Sequence, residues 1–317
     1  MKKKISRRDF ISKSALGIGF VSINAKNGTN VRTLKKMSGE MSKRKLGRTG
    51  RMVSCIGFGG GSRYASWVPN EGDAEKLIDY AIKLGITYFD AARSYGGGKT
   101  EERYGRYLTP RYRSRIFLTS KTAKRTYDGV MEDIEISLKT LKTDYLDLYC
   151  MHGIDRIEDV KTLLSSSGGY KAFVKLKDEG AVQNIGFSYH KWNEASKESF
   201  EKFDVDAVLC PLNASRYSGN EVNFLPLALE RDVGVIAIKT TGQNALLGNG
   251  NVTGTDLVRY ALSLPISLAS VGIDGYATLE SCAEIGREPV ISREEAEKIH
   301  KKLDFDPKVI RLPYFQG

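Results

Sequence analysis

The stretch GITYFDAARSYGGGKTEERYGRYL, Gly85–Leu108, contains the pattern that decides the fold. The apolar run GITYFD ends on the carboxylate of Asp90, a glycine-rich loop with Tyr95 follows, and TEERYGRYL has the features of a helix start. A short apolar run followed by a helical segment is the repeating unit of parallel α/β proteins. The stretch therefore raises two questions: how often this unit recurs, and why a carboxylate and a phenol lie together at its strand end.

The same unit recurs eight times along the chain. The apolar runs are VSCIGFG, ITYFD, RIFLTSK, YLDLYCMH, VQNIGFS, AVLCPL, VGVIAIK and LASVGI, and each is followed by a segment with helical periodicity. Continuously apolar strands are buried on both faces, which is typical of parallel sheets. Eight units predict an α/β fold, a (β/α)8 TIM barrel, with an N-terminal β-hairpin cap formed by KLGRTGRMVS around Gly50.

An open doubly wound sheet is the alternative. It would place a Gly-x-Gly-x-x-Gly turn after the first strand, with a helix opening directly on the glycines. GFGGGSRY supplies glycines at that point, but no helical pattern begins on them. The sequence therefore favours the barrel.

The basic character of the chain belongs to its N-terminal segment. Residues 1–45 contain thirteen Lys or Arg and two Asp or Glu, which accounts for the whole net charge of +11 over the 317 residues. The remainder has equal numbers of the two signs. Phosphate binding needs clustered cations on the folded part, so we expect no nucleic-acid partner.

Residues 1–25 resemble a twin-arginine export signal, because Ser-Arg-Arg-Asp-Phe (6–10) precedes a mildly apolar run at 15–23. That run is shorter than the ~20 residues that span a bilayer. Residues 26–42 are polar and without periodicity, which is typical of a linker. Residues 43–317 are expected to form the barrel, with an amphipathic C-terminal helix from Ser292 and a tail that either covers the barrel or extends into solvent.

The resemblance implies export to the periplasm by the twin-arginine translocation machinery. Cleavage after Ala25 is one outcome, and an uncleaved anchor is the other, because Ile23 is not a small residue at the −3 position. A disordered basic tail is an alternative interpretation of residues 1–25. Translation from Met41 would instead make the protein cytoplasmic.

The cysteine and histidine content predicts no metal site. The four cysteines are far apart, form no C-x-x-C pair and lie mostly in apolar runs: Cys55, Cys150, Cys210 and Cys282. Cysteines of this kind are usually small core residues. With three histidines in the whole chain, neither a disulfide framework nor a zinc or iron–sulfur site is expected.

Polar residues stand where three consecutive strands end. The second run ends on Asp90, the third on Lys121 and the fourth on His152, and Tyr95 lies on the loop after Asp90. Each of them alone is more simply explained as a structural or surface residue. The C-terminal ends of barrel strands meet at one mouth, where catalytic groups lie. We therefore expect these four side chains to form one catalytic group.

This set of residue types suits acid–base chemistry at a carbonyl. A tyrosine is a weak acid with an ordinary pKa of about 10, and a neighbouring ammonium lowers that pKa. A carboxylate holds the lysine charged, and an imidazole can orient a substrate carbonyl. Together they suit protonation of a carbonyl oxygen while hydride reaches the carbon.

The motifs resemble those of the aldo-keto reductase family, from about Lys43 to Ile285. RKLGRTGRMVSCIGFGGG is similar to the family's opening hairpin and first strand, GITYFDAARSYGGGKTEERYG to its Asp-x-x-x-x-Tyr signature, and DYLDLYCMHGID to its fourth strand. The resemblance implies that Tyr95 donates the proton and Lys121 modulates its pKa. It also implies that Asp90 holds Lys121 and that His152 orients the carbonyl.

The resemblance implies NADP or NAD as the cofactor, in a pocket that departs from the family pattern. Tyr189 follows Ser188 where the family has Asn, and the glutamine and stacking aromatic of the sixth strand are missing, so Tyr189 or Tyr217 would have to supply the ring. Asp274 stands where the family often has a cation for the 2′-phosphate, which favours NAD. The candidate cofactor-binding residues are Gly59, Ser188, Tyr189, Lys239, Thr240, Gly242 and Gly272, with backbone N–H contacts expected from Lys239 and Gly242.

Two functions are compatible with these residues. The first is an exported NAD(P)-dependent oxidoreductase that acts on an aldehyde, ketone or sugar and holds its cofactor tightly, because no nicotinamide pool is expected outside the cytoplasm. The second is a non-catalytic scaffold or ligand sensor with an altered cofactor pocket. The complete set of Asp90, Tyr95, Lys121 and His152 favours the enzyme.

Overall fold

The computed structural model describes residues 39–315. The predicted export signal of residues 1–25 and most of the predicted linker of residues 26–42 lie outside the described residues. The described chain begins with an antiparallel hairpin of β1 (Lys43–Lys45) and β2 (Met52–Ser54). Its turn closes on Gly50, whose φ of 70° lies in the left-handed region that favours glycine.

Eight parallel strands then close into a barrel, each strand pairing with the next along the chain and the last with the first. Each coincides with one of the eight apolar runs, and only β5 continues beyond its run, by one residue: β3 (Ile56–Gly59), β4 (Tyr88–Asp90), β5 (Phe117–Thr122), β6 (Leu148–Met151), β7 (Ile185–Ser188), β8 (Ala207–Pro211), β9 (Gly234–Ile238) and β10 (Leu268–Gly272). The predicted (β/α)8 barrel is thus confirmed, and the open doubly wound sheet is excluded by the pairing of β10 with β3.

The hairpin closes the N-terminal end of the barrel, as the sequence predicts. Leu46 and Val53 are buried in one cluster with side chains that point into the barrel, among them Tyr88, Phe117 and Leu268. A Cβ at Gly234 would lie 2.7 Å from Leu46 Cδ1, so only glycine lets the leucine fill the floor at that point. The hairpin leaves the opposite, C-terminal end of the barrel uncovered, which is the end where barrel enzymes carry their active sites.

Helices surround the barrel and separate its strands: α1 (Glu71–Lys83), α2 (Lys99–Arg103), α3 (Thr109–Tyr112), α4 (Tyr127–Leu141), α5 (Ile157–Leu164), α6 (Tyr170–Asp178), α7 (Glu194–Lys202), α8 (Asn220–Asn223), α9 (Leu225–Glu230), α10 (Gly254–Ser263), α11 (Tyr276–Ile285) and α12 (Arg293–Lys302). One predicted helical segment, 157–179, is divided into α5 and α6. The break is at Gly168, where a Cβ would lie 2.1 Å from Leu163 O, so the chain can turn back there only with glycine.

The C-terminal tail covers the barrel mouth, which resolves an alternative that the sequence left open. Leu312 is buried, Pro313 lines the cavity described below, and Tyr314 OH accepts a hydrogen bond from Asn213 Nδ2 at 3.2 Å.

The cysteines at 55, 150, 210 and 282 are buried and free, as expected of core residues. Among residues 39–315, none of the helices has the length and apolar character that crossing a membrane would need.

Candidate active site

The four side chains predicted from the sequence meet at the barrel mouth. Asp90 is the last residue of β4, Lys121 lies near the end of β5, and His152 follows β6 directly. Tyr95 reaches the same point from a turn, Tyr95–Gly98, in which Gly96 and Gly97 have φ of 60° and 68°. These left-handed conformations fold the loop back toward the barrel, and they explain the glycines beside the tyrosine.

Lys121 links the acid and the phenol. Its Nζ donates hydrogen bonds to Asp90 Oδ1 at 2.6 Å, to Ala91 O at 2.8 Å and to Tyr95 OH at 3.3 Å. Lys121 is 1% exposed, so its three donors are satisfied without water. The Asp90 side chain is 4% exposed, and its charge is paired with that of Lys121. This arrangement fixes an ammonium group beneath the tyrosine hydroxyl.

Tyr95 lies between the ion pair and His152. Its hydroxyl donates to Asp90 Oδ2 at a long 3.3 Å, and its ring meets the His152 ring edge-on with centroids 5.8 Å apart. Ser94 Oγ lies 3.4 Å from His152 Nδ1. No sequence pattern singles out Ser94, because its partner in this contact, His152, is 58 positions away along the chain.

Burial dominates the pKa of Tyr95. Desolvation and then the charge of Asp90 raise this pKa to about 12, while the charge and hydrogen bond of Lys121 lower it. The sequence predicted only the lowering effect of the lysine. The structure adds the opposing effects, and the phenol is therefore fully protonated at neutral pH, which is the state that a proton donor needs.

The electrostatics also set the charge of the other two groups. Burial alone lowers the pKa of Lys121, but the Asp90 charge beside it raises that pKa above its usual value, so the lysine stays protonated. Burial and the charge of Lys121 lower the pKa of His152 to about 3. His152 is therefore a neutral imidazole at physiological pH, able to donate one hydrogen bond and accept another.

Asp90, Ser94 and Tyr95 line a cavity of about 570 Å³, whereas the side chains of Lys121 and His152 do not line it. The cavity also includes residues at the C-terminal ends of β9 and β10, and Thr278 and Cys282 on α11. The volume lies within the range of ~300–1,000 Å³ that is usual for small-molecule sites. No group of three or more His, Cys, Asp or Glu that could hold a metal ion occurs in residues 39–315.

Four of the seven candidate cofactor-binding residues line this cavity: Gly59, Lys239, Thr240 and Gly272. The hydroxyl and amide groups of Thr240, Thr241, Asn244 and Ser270 are in the same wall. The cavity wall is thus provided with neutral hydrogen-bonding groups. Such groups fit a dinucleotide, which needs donors for its phosphate and ribose oxygens.

Tyr189 is not in a position to stack on a cofactor. It is 0% exposed, does not line the cavity, and packs against Phe187, Trp192 and Phe224 between the barrel and its helices. Tyr217 does not line the cavity either, because its ring packs on Phe315 of the tail. The prediction that one of them replaces the missing aromatic is therefore wrong. The aromatic residues that do line the cavity are Tyr95 and Trp67.

Ser188 and Gly242 also have other roles than those predicted. Ser188 Oγ accepts a hydrogen bond from Gly153 N at 2.9 Å, so it anchors the chain next to His152 and does not line the cavity. The N–H of Gly242 donates to Lys239 O at 2.8 Å and is not available to a phosphate. Gly242 is required at that turn because its φ is 59° and a Cβ would lie 2.7 Å from Leu246 Cγ.

Arg63 is the cavity residue that the sequence did not reveal. It lies in a π-helical turn, Arg63–Trp67, after the first barrel strand, and its guanidinium pairs with Asp274 and donates to Asn244 Oδ1. These partners follow the last and the seventh barrel strands, 211 and 181 positions along the chain. Gly272 makes room for it, because a Cβ there would lie 2.8 Å from Arg63 Cδ.

A buried ion pair supports the loop that carries Tyr95. Arg93 Nη1 lies 2.5 Å from Glu101 Oε2, and Glu101 Oε1 accepts a hydrogen bond from Ser120 Oγ at 2.6 Å. Glu101 is the first glutamate of the TEERYG motif and is fully buried at the start of α2. Carboxylates are stabilised at helix N-termini, and this one ties the loop to β5 beside Lys121.

The family model described as "Aldo/keto reductase family" matches residues 55–259. Among curated proteins, the chain is 28% identical over 239 residues to pyridoxal 4-dehydrogenase from Microbacterium luteolum, covering 61% of this chain and 69% of that one. It is 32% identical over 209 residues to the uncharacterized oxidoreductase YqkF of Bacillus subtilis, covering 62% of this chain and 64% of that one. The matched segments thus span about two thirds of these relatives.

Solved structures agree in fold. An aldo-keto reductase from Klebsiella pneumoniae, solved in complex with NADP and acetate, superposes with a TM-score of 0.68 at 22% identity, covering 84% of this chain and 96% of that one. Because the family model covers well over half of the chain, the assignment does not depend on this distant likeness. The chain belongs to the aldo-keto reductase family, a family of oxidoreductase enzymes.

Proposed function

We propose that this aldo-keto reductase is an NAD(P)-dependent oxidoreductase that transfers hydride between nicotinamide and a carbonyl or alcohol, with Tyr95 as the proton donor. The observation that carries the proposal is the Lys121 ammonium, which lies within hydrogen-bond distance of both Asp90 and Tyr95, two residues that line the cavity. A bound nicotinamide dinucleotide would supply the hydride. The other steps belong to residues of the chain itself.

Tyr95 gives its proton to the carbonyl oxygen. Its hydroxyl is held by Asp90 and Lys121 through contacts of 3.3 Å each, both longer than the common hydrogen-bond distance, so the O–H can rotate toward a substrate. Gly61 lies beside the ring, where a Cβ would make an ordinary contact with Tyr95 Cζ at 3.9 Å. Lys121 then stabilises the phenolate that forms, at the moment when charge develops.

His152 orients the carbonyl. Because it is neutral, one ring nitrogen carries a proton and the other accepts one. A Ser94 hydroxyl that donates to Nδ1 would leave the proton on Nε2, where it can be donated to a carbonyl oxygen. The Arg125 guanidinium donates a hydrogen bond to His152 O at 2.7 Å and thereby holds the backbone of His152 in place.

We propose further that the cofactor is NAD in preference to NADP. Gly59, Gly272, Thr240 and Asn244 would hold it along the cavity wall. The Klebsiella protein was solved in complex with NADP, but in this chain Arg63, whose side chain packs on Gly272 at the end of the eighth strand, is already paired with Asp274. A 2′-phosphate placed there would meet a carboxylate and an occupied guanidinium, and like charges are repelled.

The test is the oxidation of NADH and NADPH, followed by absorbance, with a panel of aldehydes and ketones. We expect turnover with both and a higher kcat/KM for NADH. Asp274→Asn should lower the NADH-to-NADPH preference about tenfold, a change of about 1.4 kcal/mol, because it removes the repulsion and frees Arg63.

Asp232→Asn is the matched control, since Asp232 pairs with Lys45 at the opposite end of the barrel. It should keep the preference of the parent. An unchanged preference in Asp274→Asn would remove Asp274 from cofactor selection, and no turnover with any pair would count against the proposed function itself.

The predicted export signal suggests how the cofactor is used. We propose that the protein is exported by the twin-arginine machinery with its cofactor already bound, and that one substrate is oxidised and another reduced without release of the dinucleotide. Support comes from the Ser-Arg-Arg-Asp-Phe segment at 6–10 together with the reductase residues in the barrel. The tail would retain the cofactor by covering the mouth.

Retention can be measured directly on protein purified from the periplasm. We expect mass spectrometry of the denatured supernatant to find about one nicotinamide dinucleotide per chain, and gel filtration to leave it bound. Rapid loss of the dinucleotide on dilution would exclude recycling in place, and cytoplasmic recovery of the whole protein would exclude export.

A further inference from the structure

Lys239 is a cavity residue whose charge lacks a counter-ion. It follows β9 directly and lines the cavity. Among residues 39–315, the other cation that lines the cavity is Arg63, which pairs with Asp274, and Lys121 beneath Tyr95 pairs with Asp90. No carboxylate of these residues lies within ion-pair distance of Lys239 Nζ.

The chain holds Lys239 in place without neutralising it. Its φ of 56° is in the left-handed region, which is uncommon for a residue other than glycine, and its carbonyl is fixed by Gly242 N at 2.8 Å and Asn213 Nδ2 at 3.1 Å. Its Nζ lies 5.7 Å from the centre of the Tyr314 ring. An aromatic face attracts a cation but does not replace an anion.

Lys239 lines the same cavity as Asp90 and Tyr95. Burial lowers the pKa of Lys239, and the charge of Lys121 lowers it further, while Asp90 and Asp155 oppose this. Lys239 in turn contributes to the lowered pKa of His152. The charges that act on Lys239 are thus those of Lys121, Asp90 and Asp155.

We propose that the substrate is a carbonyl acid whose carboxylate pairs with the Lys239 ammonium while its carbonyl faces Tyr95 and His152. The proposal rests on the proposed function and specifies its substrate class. A carboxylate at this position would supply the missing counter-charge, and a charge-assisted hydrogen bond in a site shielded from water is a strong contact. A neutral aldehyde or sugar would leave the ammonium partly buried and unpaired, which is unfavourable.

A phosphate of the cofactor is the other source of the same negative charge. It would satisfy Lys239 equally well, and the two sources differ in what they predict. If the anion is the substrate's, loss of Lys239 changes the discrimination between acidic and neutral substrates. If it is the cofactor's, loss of Lys239 weakens dinucleotide binding and leaves that discrimination unchanged.

The experiment compares each acid with its methyl ester on the full-length protein in the presence of saturating NADH. The pairs are 4-formylbenzoate with methyl 4-formylbenzoate, and succinate semialdehyde with methyl 4-oxobutanoate, which differ in the spacing from carbonyl to carboxylate. We expect the parent to favour the acid in at least one pair. Lys239→Met should lower the acid-to-ester ratio of kcat/KM in that pair about tenfold or more, and Lys239→Arg should restore most of it.

Lys124→Met is the matched control, because Lys124 is an exposed lysine on the loop that follows β5. It should keep the parent ratio. Equal ratios in the parent and Lys239→Met for both pairs would overturn the proposal. So would a dissociation constant for NADH that rises tenfold in Lys239→Met while the ratios stay the same, since this outcome assigns the cation to the cofactor.

A binding measurement separates this inference from the proposed function. If none of the four compounds is turned over, the proposed function fails, and titration calorimetry with 4-formylbenzoate and its ester then decides the inference alone. Tighter binding of the acid in the parent that is lost in Lys239→Met supports the carboxylate site. Equal binding of acid and ester, or no binding of either, overturns it.

Discussion

Replacement of Tyr95 by phenylalanine is expected to lower kcat/KM for carbonyl reduction by about 10² to 10⁴-fold, the range that general acid catalysis contributes. The phenol is the protonated acid that lines the cavity beside a fixed ammonium. Phenylalanine keeps the ring and its edge-on contact with His152. The cavity shape is therefore preserved, and the dissociation constant of the dinucleotide should change by less than about twofold.

Tyr112→Phe is the matched control for this variant. The Tyr112 hydroxyl also donates to an aspartate, Asp79 Oδ1 at 2.9 Å, but it lies on α3 at the outside of the barrel. Its removal should leave kcat/KM as in the parent. Steady-state rates and fluorescence titration with NADH give the two quantities for each variant.

The outcome also decides between the enzyme and the scaffold. A non-catalytic relative would bind a dinucleotide without turnover, and Tyr95→Phe would then change nothing that can be measured. Turnover that is equal in Tyr95→Phe and the parent would show that another group donates the proton. The geometry favours the enzyme, because a scaffold has no need of an ammonium held under a phenol in a buried site.

The eight strands could be predicted because their signal is local. Each is a continuous apolar run between polar segments, and in a closed parallel barrel every strand is buried on both faces. The strand ends then placed Asp90, Lys121 and His152 at one mouth without knowledge of any contact. The break at Gly168 was missed although the Ser-Ser-Ser-Gly-Gly run at 165–169 is a loop signal, and the structure adds that Leu163 O approaches too closely for any residue but glycine.

The wrong predictions concern residues whose direction depends on packing. Ser188 and Tyr189 follow each other at the end of β7, but neither lines the cavity, because the serine binds Gly153 and the tyrosine fills a space among aromatic residues of the outer layer. Arg63 and Asp274 come together only when the barrel closes. Sequence spacing carries no information about such contacts. The ion pairs of the folded chain determine which cations remain available to bind a ligand.

The second large effect is expected on stability, from the buried pair of Asp90 and Lys121. Asp90→Asn leaves an ammonium with no counter-ion in a site that is almost closed to water, and Lys121→Met leaves a carboxylate there. Removing one partner of a buried pair costs about 3–5 kcal/mol. We expect each single variant to lower the free energy of unfolding by that amount in urea denaturation, and to lose most of its activity.

The double variant Asp90→Asn/Lys121→Met distinguishes the pair's structural role from its catalytic one. It removes both charges, so it should unfold with a higher free energy than either single variant, since contacting residues are not additive. Its activity should remain as low as theirs, because Tyr95 has lost the ammonium that stabilises its phenolate. Lys45→Met is the control: its pair with Asp232 is more than half exposed, and exposed pairs contribute about 0–1 kcal/mol. Recovery of activity with stability in the double variant would mean that the pair acts on the fold alone, whereas stability without activity would place Lys121 in the proton transfer.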